Sequence, residues 1–324
     1  MNMSRRMLMP SIALAAGSAR AAAAADASPG VTDAVARFAA IPATASCLIE
    51  SGHPAKPWRA AHDAGKELFV GSAIKTFILA RFLLDVEEGR LSEDRQLDVN
   101  DAVRSLVSPV FLHLTGTTAA RSVLEAMIAH SDNTATDIAM AAVGPDRVRH
   151  LIAEAGLKKT RIPASTRRMI SYLAGAPAGR DLGWDGMLAM EKGTQPGPSR
   201  PTINDTETMT SSAEDLVAWY RMALSERVFK TPEMRTEFRR IQAMANAIAV
   251  AIPPDTIAYA KGGSIDWEDF HCNCFAGQMI ANALPVTFAF TINWTGPADG
   301  TKAVFEAFLA SVRDALRAAA ASSA

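Results

Sequence analysis

The sequence predicts an α/β fold of the α+β kind: an antiparallel five-stranded sheet flanked by helices, with an all-helical domain inserted into it. Three observations carry this. Strand-like runs lie toward both ends of the chain, the middle is mainly helical or loop, and the C-terminal segment has helical apolar spacing. On the near side, Thr44 to Glu50 and Pro57 to His62 read as strands. On the far side, so do Thr256 to Ser264, Asn273 to Ile280 and Pro285 to Trp294. Between them, Ser72 to about Met190 is mainly helical or loop, and Val304 to Ala320 closes the chain as an amphipathic helix against the sheet. The expected sheet domain is therefore built from residues 26–70 and 206–324, the helical domain from 71–205, and a ligand site is expected in the crevice between them.

With 324 residues, a formal net charge of −1 and 49% hydrophobic residues, the chain has enough apolar material for a sizeable core and one or two domains. Charges are mixed along it, so Arg167-Arg168 and Arg239-Arg240 read as solvated faces and no nucleic-acid partner is implied. There is no internal repeat, and low complexity is confined to the alanine-rich ends. Arg5-Arg6, the mostly apolar run from Met7 to Gly17 and the small residues Ala21 to Ala25 read as an export signal, expected to be cleaved near Ala25. Ser4-Arg5-Arg6-Met7-Leu8 also loosely suits a twin-arginine signal. The mature chain is expected to be periplasmic or secreted and a monomer, and not to span a membrane, since no segment beyond the signal reaches the ~18 apolar residues of a membrane span. Cys47, Cys272 and Cys274 are expected to be small core residues, with a Cys47 disulfide as the alternative. Neither a metal nor a cofactor is implied: Cys272 and Cys274 at i, i+2 beside His271 lack the wider spacing of a zinc site.

Chemistry is concentrated in three short strings: Ser72-Ala73-Ile74-Lys75, Ser131-Asp132-Asn133 and Lys261-Gly262-Gly263. Taken singly they are an ordinary helix-surface pair, a helix-capping turn and an edge strand with a solvated lysine. Their order in one chain favours a single nucleophilic site. In a helix opening near Ser72, positions i and i+3 share a face, so the Lys75 amine stands beside the Ser72 hydroxyl as its base. Gly71 allows close backbone approach just before the serine, and the helix N-terminus offers free N–H groups to an oxyanion. The Ser131 turn presents a hydroxyl that can pass a proton and, at Asn133, an amide that can bind a substrate amide, while Asp132 is expected to hold the turn. Lys261 adds positive charge, Gly262 and Gly263 let a substrate lie along the strand edge, and Ser264 N–H is the expected second oxyanion donor. Ser264 to Asp269 reads as a hairpin turn.

On these strings the chain resembles the class A β-lactamase and penicillin-binding superfamily of serine acyl-enzymes. Leu112 to Gly116 and the helix up to His130 resemble the family's approach to S-D-N, and Met209 to Leu216 a family helix start. The resemblance implies Ser72 as the acylated nucleophile, Lys75 as its proton acceptor, Ser131 as proton shuttle, Asn133 as a substrate ligand and Lys261 as the electrostatic partner of Ser131.

The chain departs from the family in four ways. Gly262 stands where the family prefers Thr or Ser, which removes a hydroxyl for a substrate carboxylate. The family's E-x-x-L-N string, whose glutamate activates the deacylating water, is replaced by Arg161 to Ile170 without a carboxylate. Glu154, Asp181, Asp185 and Glu191 are the nearest candidates in sequence. No Arg or Lys occurs between Gly262 and Gly300, where Asp266, Glu268 and Asp269 crowd the turn and only His271 offers a cation; that rim favours a neutral or cationic substrate. Finally, the Gly/Pro-rich stretch 175–205 is a surface insertion or a lid, with Trp184 and Met187 as its ligand-facing residues in the lid case. The expected function is an exported serine hydrolase acting on an amide or ester, β-lactam-like carbonyl through acyl-Ser72. The alternatives are a penicillin-binding or sensor protein that deacylates poorly, and an esterase or carboxypeptidase-like enzyme.

Overall fold

The computed structural model describes residues 25–322, and the expected export signal, apart from Ala25, lies outside the described residues. The chain begins with β1 (Ala25–Asp26), α1 (Pro29–Ala39), β2 (Thr44–Ser51), β3 (Trp58–His62) and β4 (Leu68–Phe69). A single 3₁₀ turn, Gly71–Ile74, leads into α2 (Lys75–Glu87), followed by β5 (Gln96–Val99) and β6 (Gly116–Ala119). Five helices come next: α3 (Ala120–Ala129), α4 (Asn133–Val143), α5 (Pro145–Glu154), α6 (Thr166–Leu173) and α7 (Gly183–Glu191). Then come β7 (Thr210–Ser211), α8 (Ala213–Ala223), α9 (Pro232–Gln242), α10 (Ala247–Ala251), β8 (Ile257–Trp267), β9 (Phe270–Ala281), β10 (Leu284–Thr295) and α11 (Thr301–Ser322).

The main sheet has the order β1-β3-β2-β10-β9-β8. Its last five strands are mutually antiparallel, as the sequence predicts, and β1 adds only a two-residue parallel edge on β3. Period-two alternation sorts the side chains. Cys47, Ile49, Phe288, Phe290 and Ile292 face α1 and α11, whereas Leu48, Cys272, Cys274 and Ala289 face the helices on the other side. On the first face, Phe38 of α1 lies between Phe290 (5.2 Å) and Phe308 of α11 (6.0 Å). On the second, α2 is buried from Lys75 to Asp85 and serves as the central helix of the larger core. Its Asp85 carboxylate is held by Arg81, Arg90 and Arg147, which offsets the cost of burying a charge there.

Two expectations are corrected. The hairpin turn is shorter than Ser264 to Asp269, because Ser264 to Trp267 pair with Asn273 to Phe270 and leave Glu268 and Asp269 to reverse the chain. The inserted domain, expected to be all-helical, also contains the antiparallel pair β5–β6. All three cysteines are free and buried, and burial pushes the Cys47 and Cys274 thiols up to about 12.

Candidate active site

Ser72 sits in the 3₁₀ turn between β4 and α2, and the turn is pressed against the edge strand β8. Gly71 has φ +53°, and a Cβ there would stand 2.9 Å from both N and O of Ser264. A Cβ on Gly263 would meet Val70 O at 2.0 Å and Ser72 N at 2.8 Å. The two glycines thus let the backbone N–H groups of Ser72 and Ser264 approach one another, as an oxyanion site requires. Ser72, Ser131, Asn133, Lys261 and Ser264 border one cleft of about 950 Å³.

Lys75 is fully buried beneath this cleft. Its Nζ donates to Ser131 O (2.5 Å), Asn133 Oδ1 (2.8 Å) and Ser131 Oγ (3.2 Å). No bond from Lys75 to Ser72 Oγ is present among the described residues, so the pairing expected from the i, i+3 spacing is replaced by a grip on the Ser131 turn. Burial, aided by the charge of Lys261, holds the Lys75 amine well below its ordinary pKa against the pull of Asp132 and Asp137. A neutral amine is what a base needs.

The Ser131 turn is strained, with φ +57° at Ser131 itself. Asp132 holds it: its carboxylate accepts N–H bonds from Val110, Phe111 and Ala135, each at 2.8 Å, and caps α4. Asn133 opens that helix, its Nδ2 donating to Leu106 O at 2.9 Å. From the other side Lys261, also fully buried, reaches Ser131 Oγ at 3.0 Å and Gly262 O at 2.7 Å. Burial lowers Lys261 to about 7, with the Cys274 thiol opposing. The Ser131 hydroxyl therefore lies between two lysine amino groups whose pKa values burial lowers.

Arg161 to Ile170 supplies no carboxylate to the cleft. Arg161 is turned to Glu67 (2.6 Å), and Arg167 is buried on Asp181 (2.7 Å) and the carbonyls of Asp101, Ala102 and Arg104. Thr166 is the residue of this group that, with Met169 and Ile170, borders the cleft. Behind it stands Asp137, whose carboxylate accepts the N–H groups of Thr166 (2.6 Å) and Arg167 (3.0 Å). Burial raises Asp137 to about 6 in spite of those two bonds. Sequence reasoning missed Asp137; the available signal was its position one helical turn beyond Asn133. Of the four distant carboxylates, Asp181 is taken by Arg167, Glu154 pairs with His150, and Glu191 reaches the cleft rim.

The insertion 175–205 touches the cleft, though not through the expected side chains. Met187 is fully buried and Trp184 lies by Arg104, whereas Met190, Glu191 and Gln195 border the opening. Asp266 borders it too, but His271 is not a free cation of the rim: its ring is buried, with Nδ1 on Asp266 Oδ1 (2.6 Å) and Nε2 on Gly296 O (2.8 Å). Among the described residues no group of three His, Cys, Asp or Glu side chains is gathered to hold a metal.

A family model described as "Beta-lactamase enzyme family" matches residues 48–279. No curated protein matches the chain. Among solved structures, a single-residue variant of PBP-A, an acyl-enzyme complex with penicillin G, is 19% identical, with TM-score 0.65 over 89% of this chain and 94% of that one. A β-lactamase from Sphaerobacter thermophilus is 19% identical, with TM-score 0.67 over 90% and 95% of the two chains. Another from Chitinophaga pinensis is 16% identical, with TM-score 0.70 over 90% and 99%. At these identities the likeness establishes the fold.

Proposed function

The chain belongs to the β-lactamase enzyme family, and from that footing we propose that it is an exported serine hydrolase that opens amide or ester carbonyls through an acyl-Ser72 intermediate. The observation that carries this reading is the position of Ser131 Oγ between Lys75 Nζ and Lys261 Nζ, at the cleft that also holds Ser72. Neutral Lys75 takes the Ser72 proton as Oγ attacks the carbonyl carbon, and the N–H groups of Ser72 and Ser264 stabilise the oxyanion. Ser131 then passes a proton to the leaving nitrogen or oxygen, and the Lys261 charge supports the shuttle.

Hydrolysis of the acyl-enzyme is the slow half in this reading, because Thr166 stands at the cleft where a carboxylate would activate water. That favours a second reading, a penicillin-binding or sensor protein that keeps its acyl group. Intact mass followed over time after one equivalent of a penicillin separates the two. An adduct on Ser72 lasting minutes or longer supports slow deacylation, and rapid return to the free mass supports β-lactam turnover. No adduct with any β-lactam, ester or fluorophosphonate would remove the acyl-serine reading.

A further inference from the structure

The cleft does not end at Ser72. Along β8 the missing side chains of two adjacent glycines face opposite ways: a Cβ on Gly263 would come within 2.8 Å of Ser72 N, whereas one on Gly262 would stand 3.0 Å from Ala247 Cβ of α10. The cavity follows this side-chain-free edge and continues between α10 and α11, where Ala247, Val250, Phe305 and Leu309 line it above Phe275 and Val312. Arg313 Nε donates to Val250 O at 2.5 Å and ties α11 to α10. At the outer end Val250 and Phe305 remain 46% and 43% exposed. Lys261 is the one Lys or Arg among the described residues lining the whole cavity, and it is turned to Ser131. Gly262 and Gly263 themselves offer no hydroxyl to a substrate carboxylate, and no guanidinium among the described residues lines the cavity.

Resting on the acyl-Ser72 reading, we propose that this apolar sleeve holds the straight aliphatic acyl chain of a neutral ester or amide whose carbonyl lies at Ser72. For an ester, the Ser72 Oγ–carbon bond forms and the carbon–alkoxy bond breaks. The Ser72 proton leaves by way of Lys75 and Ser131 on the departing alcohol, and water then releases the carboxylic acid and restores Ser72.

The test is hydrolysis of p-nitrophenyl esters from acetate to octanoate by the wild type, Val250→Asp and Phe305→Asp. Wild-type kcat/KM is expected to rise about threefold per added methylene, the effect of burying one in an apolar site. Either variant is expected to lose at least about tenfold on octanoate while keeping acetate hydrolysis within about twofold, which also shows that it is folded. A flat chain-length profile in wild type, or equal losses on acetate and octanoate in both variants, would overturn the proposal. If no ester is hydrolysed, intact mass shows whether Ser72 is acylated, with no adduct removing the acyl-serine reading, and calorimetric binding of octanamide decides the sleeve separately. Binding to wild type that is lost in Val250→Asp upholds it, and no binding to wild type overturns it.

Discussion

Asp137 accepts the backbone N–H of Thr166 at 2.6 Å, so the residue that borders the cleft where a deacylating base would stand is fixed from behind by a buried carboxylate. Thr166→Glu should therefore present a carboxylate on an already anchored backbone and speed release of a penicilloyl group by about 10²-fold or more. Stopped-flow or mass kinetics of a preformed adduct measures it. Arg167→Glu is expected to fail in the same assay by losing the fold: it removes a buried guanidinium with four partners and leaves Asp181 facing a new negative charge, a cost of about 3–5 kcal/mol.

Asp137 also sets a pH dependence of stability. Burial raises its folded pKa to about 6, above the ordinary carboxyl value, so the native state binds this proton more tightly than the unfolded chain does. Its contribution is fully present below about pH 4 and declines as pH rises to about 6, by an amount on the order of 2–3 kcal/mol. The Tm difference between wild type and Asp137→Asn should shrink or reverse over that interval. A constant difference across it would show that Asp137 does not titrate there.

Ser72→Ala should abolish covalent labelling by β-lactams or fluorophosphonates with almost no change in Tm, since the hydroxyl has no hydrogen-bond partner among the described residues to lose. Lys75→Ala should slow acylation by about 10²-fold to 10⁴-fold and also lower Tm, because Ser131 O and Asn133 Oδ1 lose their donor. Labelling kinetics beside thermal melts measures both. An acylation rate within twofold of wild type would make Lys75 purely structural.

With its pKa lowered to about 7, Lys261 is charged below neutrality and loses its proton above it. If that charge supports the Ser131 shuttle, kcat/KM for acylation falls as pH rises through about 7. Lys261→Arg, charged at every working pH, should move that descending limb upward by two pH units or more. An unchanged limb assigns it to another group.

Gly263→Ala tests the contact between β8 and the serine turn. Its Cβ would lie 2.0 Å from Val70 O and 2.8 Å from Ser72 N, distances that the turn relieves only by moving. Acylation should fall at least about tenfold, with stability lower by about 1–3 kcal/mol. Near-wild-type values for both would mean that the close approach is not required.

The five antiparallel strands, the terminal amphipathic helix and the three strings were legible because they depend on local patterns: alternation, helical spacing, and residue types tied to one chemistry. Asp132 as the holder of its turn followed from the same local logic, an Asx side chain bonding nearby N–H groups. The extent of the β8–β9 hairpin was not legible, since pairing with Phe270 to Asn273 decided that Ser264 to Trp267 are strand.

Tertiary structure decided what the other polar groups of the site face. Sequence spacing predicts Lys75 beside Ser72, yet only the approach of the Ser131 turn, 56 residues away, gives its amine hydrogen-bond partners. It likewise took the packed core to bury Lys75 and Lys261 together and so loosen their protons. The same holds for Met187, drawn into the interior while Met190 and Glu191 reach the cleft, and for His271, turned to Gly296 O. Local pattern fixes which residues can do chemistry, because residue type and spacing act over a few bonds. Burial and long-range contact fix their charge and direction, because desolvation and hydrogen bonding depend on groups the chain brings together only once it is folded.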